Sequence, residues 1–317
     1  MWFIFALITT LAWAVADLFY KKGTDKNDKL SQWRIVMMVG LVMGIHGIIY
    51  WIYKVATTDF TFDLFNIVKY LPVSACYIIS MIFGYVGIRY IEYSIGSPVG
   101  NTSGAIVAVL CFVFLDQSMS LFSIFSTVLV VVGMLGLAVA EKREDIALRR
   151  ASGESIEKKY TTGFVALLFP VLYALIDALG TFADVFYLDG TDNIEPLMTE
   201  DEVLIAYEMT FFLCAVVAFI YIRFIRGEKI RIKQEKFRFL AGCAEMTGQV
   251  AYVFALTGGD DGNSGIVAAP MIASYSVISV LLLRIFAKEK LTWIKYVMIG
   301  IVLAGILLLG IEEGLAM

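Results

Sequence analysis

Runs of about 20 apolar residues recur along this sequence, and a run of that length and composition is the signature of a segment crossing hydrocarbon. They fall near residues 2–20, 32–53, 67–92, 97–115, 121–140, 163–187, 203–222, 237–257, 264–286 and 292–311. Inside a bilayer each backbone amide must be bonded within its own segment, so every run is expected to be a helix. The sequence therefore predicts an all-α integral membrane protein of ten transmembrane helices. Of its 317 residues, 60% are hydrophobic and 17% charged, with a mean hydropathy of +0.81. No interval between runs is long enough for a soluble domain. Residues 93–98 and 258–263, which separate the third from the fourth run and the eighth from the ninth, have turn compositions.

The net charge of −4 excludes little, since the distribution of charge between loops matters more than its sum. Nucleic-acid binding has no support in it. The four cysteines, Cys76, Cys111, Cys214 and Cys243, each lie inside an apolar run. They read as small hydrophobes, with neither a disulfide framework nor metal-ligand spacing. The first run begins at Met1-Trp2-Phe3 without a basic leader or a small-residue cleavage site, which favours a retained helix over a signal peptide.

If the ten runs alternate in direction, all of the 25 Lys and Arg except Lys54 and Lys69 fall on one side of the membrane. Basic residues stay cytoplasmic, so both termini are expected outside and the loop after the fifth run inside. The acidic stretch with Asp189, Asp192, Glu195, Glu200, Asp201 and Glu202 then faces outward. One miscounted helix would have scrambled this separation.

An internal repeat is also present. Ala16-Asp17-Leu18-Phe19-Tyr20 closes the first run and Ala183-Asp184-Val185-Phe186-Tyr187 closes the sixth; at the same offset Tyr85-Val86 matches Tyr252-Val253 and Ser97 matches Ser264. Two halves of five helices each follow, and an odd number of crossings per half forces them to be inverted relative to one another. Lys21-Lys22 in the first copy become Leu188-Asp189 in the second, as required if those helix ends lie on opposite faces. The expected organisation is a first repeat at 1–141, a basic cytoplasmic linker at 142–162 and a second repeat at 163–317.

The ends of the halves carry a resemblance. Residues 287–295, Ala-Lys-Glu-Lys-Leu-Thr-Trp-Ile-Lys, precede a last run with Gly300 and Gly305, and residues 115–120, Leu-Asp-Gln-Ser-Met-Ser, precede Gly133 and Gly136. Together with five plus five helices, this resembles the drug/metabolite transporter superfamily, specifically its EamA-like ten-helix members, over essentially the whole chain. The resemblance implies a carrier of amino acids, nucleotide sugars, drugs, quaternary amines or other metabolites, without naming which. It also implies cytoplasmic termini, which the charge count contradicts; the charges are preferred because they separate almost completely.

Ionisable side chains in hydrocarbon cost at least ~2.5 kcal/mol on insertion scales, so each is a functional candidate. Asp17 shares a helical face with Trp13 and Tyr20, with pairing to Lys21 or solvent as the plain alternative. Asp184 is its repeat counterpart, and Asp177 lies two turns deeper on the same face, where snorkelling does not reach. Glu245, Gln249 and Tyr252 form a second polar stripe at i, i+4 and i+7. Tyr77 and Tyr85 suit a cavity wall, and Asn101 with Thr102 and Ser103 opens the fourth run as cap or ligand contact. The lone His46 has no carboxylate three or four residues away and reads as structural, and Glu208 reads as an extension of the acidic loop.

Trp13, Asp17, Tyr77, Tyr85, Asn101, Asp177, Asp184, Glu245, Gln249 and Tyr252 are thus the expected substrate contacts. Carboxylates with aromatics suit a small amine-bearing solute such as an amino acid, polyamine or quaternary amine, carried by alternating access across the plasma membrane. Protons are the expected coupling ion, through Asp177 or Glu245. A sugar or nucleotide-sugar carrier and a cation channel stay open as alternatives, although no selectivity-filter loop is visible. An enzyme is not expected, for want of HExxH, GxSxG or a second histidine. No cofactor or metal is expected, and a monomer and a homodimer are equally compatible with the sequence.

Overall fold

The computed structural model describes residues 1–24, 28, 30–90, 102–152, 164–191, 194–231, 234–257, 264–286 and 291–316. Nearly all of these are helical, and the β-structure among them is one isolated bridge, Thr191 to Ile194. In chain order the helices are α1 (Trp2–Gly23), α2 (Ser31–Thr57), α3 (Phe65–Lys69), α4 (Leu71–Tyr90), α5 (Ser103–Phe114) and α6 (Leu121–Ser152). There follow α7 (Phe164–Asp189), α8 (Glu200–Ile220) with a π turn at Tyr221–Ile225, α9 (Lys236–Thr257), α10 (Ser264–Ala273), α11 (Tyr275–Phe286) and α12 (Trp293–Ala316).

Among the described residues, 8 helical stretches are long and apolar enough to cross a membrane. They lie on α1, α2, α6, α7, α8, α9, α10 with α11, and α12. The third and fourth apolar runs form shorter apolar helices, Leu71–Phe83 within α4 and Ser103–Phe114. The ninth run is divided at Ser274, four residues after Pro270. There the Ser274 N–H and hydroxyl both donate to the Met271 carbonyl, at 3.1 and 2.5 Å, so the turn tightens to an i→i−3 bond. α6 continues past its apolar part into the basic segment as far as Ser152. A reciprocal capping box of Thr199 and Glu202 starts α8, in which Glu200, Asp201 and Glu202 also face the positive end of the helix dipole.

The N-terminal ammonium lies 2.7 Å from Glu313, so both chain ends share one end of the bundle. At that terminal end Ser123 also donates to Glu312, at 2.5 Å. Helices from the two halves of the chain pack in pairs: α1 on α9, α4 on α7, α2 on α8, α5 on α10 and α6 on α12. Between helices in lipid, close backbone approach replaces the hydrophobic drive. On α2, Gly40, Gly44 and Gly47 supply it against α8; a Cβ at Gly40 would stand 2.1 Å from the Phe211 carbonyl oxygen. The opposite side of α2, with Ile45, Ile48, Ile49 and Ile52, is exposed as a lipid-facing surface must be.

At the far end of the bundle a buried ion cluster joins α2 to the start of α9. Arg34 pairs with Glu235 at 3.1 Å and with Asp28 at 3.0 Å, and Arg238 pairs with Glu235 at 2.7 Å. Arg238 also donates to Ser31, at 3.1 Å. Burial of this kind is tolerable only because each charge has an opposite partner.

Candidate functional site

α7 carries Asp177 and Asp184 two turns apart, so that both face α4, which packs against it. Asp184 is fully buried, at 0% exposure. The Tyr70 hydroxyl, at the α3–α4 junction, donates to Asp184 Oδ1. The Tyr77 hydroxyl lies 3.1 Å from Asp184 Oδ2, 3.2 Å from Thr181 and 2.7 Å from the Tyr252 hydroxyl of α9. Tyr252 in turn hydrogen-bonds Asp184. Three helices thus converge on one carboxylate, and the tyrosine hydroxyls supply the donors that a buried carboxylate requires.

A second level lies deeper. Asp177 sits 3.5 Å from Ser80 of α4 and is hydrogen-bonded by Ser103 of α5. Glu245 accepts from the Tyr20 hydroxyl at 3.3 Å and lies near Asp17, which is bonded by Ser279 of α11 and close to Lys21. Asp177 and Glu245 each precede their upper neighbours, Asp184 and Tyr252, by seven residues on helices running the same way. At 1.5 Å per residue the two levels are ~10 Å apart.

Trp13 packs against the upper level. Its ring lies 5.4 Å from that of Tyr252 and 5.8 Å, edge-on, from that of Tyr275. It can lie flat on α9 only because residue 248 is glycine: a Cβ there would meet Trp13 Cδ1 at 2.4 Å. Trp13 Nε1 and, one residue along α9, Gln249 Nε2 are buried without a hydrogen-bond partner. An indole N–H can only donate, and a buried unmatched donor costs about 1–3 kcal/mol. An acceptor oxygen, from water or from a solute, satisfies both.

The sequence candidates are therefore gathered in two groups: Trp13, Tyr77, Asp184, Gln249 and Tyr252 on the upper level, Asp17, Asp177 and Glu245 on the lower. Tyr85 lies on α4 with its side chain outside the described residues, as does the whole of Asn101. Sequence reading missed Tyr70, Thr181, Ser80, Ser279 and Tyr207, whose ring lies 5.7 Å from that of Tyr77. The i, i+7 spacing from Tyr70 to Tyr77 would have found the first, and the place of Thr181 between Asp177 and Asp184 on one helical face the second. A cleft of about 430 Å³ at the terminal end, lined by Phe114, Phe182, Phe186 and Ile194 among others, contains none of the candidates.

His46 and Glu208 are not isolated either. His46 Nδ1 lies 2.9 Å from both carboxylate oxygens of Glu208, across the α2–α8 contact. The partner comes from another helix, so a search three and four residues along the same one does not find it.

A profile of the EamA-like transporter family matches residues 1–139 and 203–311. Among solved structures, a crystal structure described only as that of a protein is similar with a TM-score of 0.65 at 12% identity, covering 98% of this chain and 96% of its own. At that identity the likeness is one of fold. No curated protein matches the sequence.

Proposed function

The chain belongs to the EamA-like transporter family and is a multi-pass membrane transporter of the drug/metabolite type, and from that premise we propose that it is a secondary-active carrier of a small amine-bearing metabolite. The observation that carries this reading is the convergence of Asp17, Asp177, Asp184 and Glu245 with Trp13, Tyr77 and Tyr252 where helices of the two halves meet. Carboxylates and aromatic faces attract an ammonium. The buried arginines Arg34 and Arg238 are already paired with Glu235 and Asp28, away from these acids. The orphaned donors of Trp13 and Gln249 add a demand for an acceptor oxygen, which favours an amino acid over a simple polyamine or quaternary amine.

We further propose ten crossings in two inverted repeats, 1–141 and 163–317, joined by the basic segment 142–162 on the cytoplasmic side of the plasma membrane. The packing of α1 on α9 becomes that of α4 on α7 when the halves are exchanged, and the pairing of both termini at one end suits an even number of crossings. With Lys and Arg counted by side, the termini are outside. Rocking one half against the other then exposes the carboxylates alternately, with a proton carried on Asp177 or Glu245 as coupling ion.

The test is a thermal-shift screen of purified protein against amino acids, polyamines, quaternary amines and sugars, followed by counterflow in proteoliposomes. Stabilisation by amino acids and saturable counterflow are expected. Stabilisation by sugars alone would overturn the amine reading, and non-saturating flux would point to a channel.

A further inference from the structure

The α2–α8 contact holds a polar chain that the substrate site does not use. At the terminal end Lys54 pairs with Asp201 at 2.5 Å, and the Tyr50 hydroxyl donates to Asp201 at 2.6 Å. One turn deeper the His46 ring stacks on Tyr50, with centroids 5.8 Å apart and planes 18° from parallel. His46 then meets Glu208, whose side chain is 0% exposed while that of His46 is 27% exposed. Glu208 fits because residue 47 is glycine: a Cβ there would stand 2.9 Å from Glu208 Oε2.

We propose that His46 and Glu208 form a proton-binding site in this contact, filled from the terminal face, whose occupancy sets the pH dependence of exchange. The packing of the two helices does not call for such a pair. At the offset that aligns Asp17 with Asp184, the counterparts of Glu208 and His46 are Leu41 and Leu213. With one proton shared between imidazole and carboxylate, the couple is a neutral unit of hydrogen bond and ion pair. Without it, Glu208 is a carboxylate sealed between helices with only a neutral ring beside it, a state that favours separation of the two surfaces. Only an N–H or O–H bond forms or breaks, and the proton comes from water.

Other charges near the couple come from few places. α8 contributes Asp201 and Glu200, both sensed by Tyr50, and α2 itself contributes Tyr50 and Lys54. Where α9 approaches α2, the charges are Arg238 and Glu235, gathered with Arg34. Arg34 is twelve residues from His46, or ~18 Å along the helix. Among the described neighbours, Glu208 is the one charge in direct contact with the ring.

The transport half of the proposal rests on the carrier reading above; the binding half does not. His46 is the single histidine of the chain, so protein purified without a histidine tag and labelled with 15N-histidine gives one ring to follow. In lipid nanodiscs, the ring is expected to change protonation state between pH 5 and 8.5, with a midpoint that moves by about one pH unit or more in Glu208→Gln. A ring fixed in one state throughout, or a midpoint unmoved by Glu208→Gln, would overturn the site. Should Glu208→Gln not fold, Glu208→Asp serves, with a moved midpoint as the same criterion. In proteoliposomes, His46→Gln should flatten the pH profile of exchange with substrate-induced thermal stabilisation unchanged; an unaltered profile overturns the coupling. Flux absent from every form would count against the carrier reading, and the ring titration would still decide the site.

Discussion

Removing the Tyr70 hydroxyl isolates the contact that ties the N-terminal half to the buried Asp184. Tyr70 and Asp184 are both 0% exposed, and the tyrosine donates straight to the carboxylate. Interhelical hydrogen bonds in membrane proteins average about 0.6 kcal/mol in double-mutant cycles and reach about 1.7. This one belongs at the upper end, because its acceptor is a carboxylate with no access to water. Tyr70→Phe, Asp184→Leu and the double variant, unfolded by titrating SDS into mixed micelles, should give a coupling energy of about 1.5 kcal/mol, roughly a tenfold change in the unfolding equilibrium. Tyr77→Phe with Asp184→Leu should couple less, since the Tyr77 hydroxyl also has Thr181 at 3.2 Å and Tyr252 at 2.7 Å. Distant sites add to within about 0.3–0.5 kcal/mol. If the Tyr70–Asp184 cycle falls inside that band, the bond contributes nothing, and the three helices are not organised around Asp184.

Gly40→Ala should destabilise by about 1–3 kcal/mol, because the new methyl meets a backbone oxygen that cannot rotate away. Gly300→Ala, with nothing within 4 Å, should be neutral or stabilising in the same SDS titration. Glu235→Gln leaves Arg34 and Arg238 buried with reduced compensation and should cost about 3 kcal/mol or more, read as lost monodisperse yield or a lowered melting temperature. Gly248→Ala should push the Trp13 ring off α9, seen as a changed tryptophan emission and at least a tenfold weaker thermal-shift response to the transported amine. Asp177→Asn combined with Glu245→Gln should abolish accumulation driven by a pH gradient in proteoliposomes; gradient-driven accumulation that survives refutes the role given to them.

The all-helical membrane class was legible because hydrophobicity over 20 residues is a local quantity that no packing arrangement can reverse. The stripes were legible for the same reason: 3.6 residues per turn places Glu245, Gln249 and Tyr252 on one face wherever α9 sits. What lies opposite a stripe is a different matter. His46 reads as structural in the sequence because its partner, Glu208, is 162 residues away along the chain and adjacent only across α2 and α8. Ser80 and Ser279 were unremarkable as serines until α4 and α11 brought them to Asp177 and Asp17. Asp17 and Asp184 look alike in the repeat, yet one lies beside Glu245 and the other is sealed by tyrosines. The sequence by itself determined that this chain is a bundle of apolar helices and which residues share each helical face, because both follow from bonds and side chains close along the chain. Only the tertiary structure decided which acids stand beside hydroxyls, which donors are left without acceptors and where glycine lets two helices touch, because those depend on helix pairs that meet across the length of the chain.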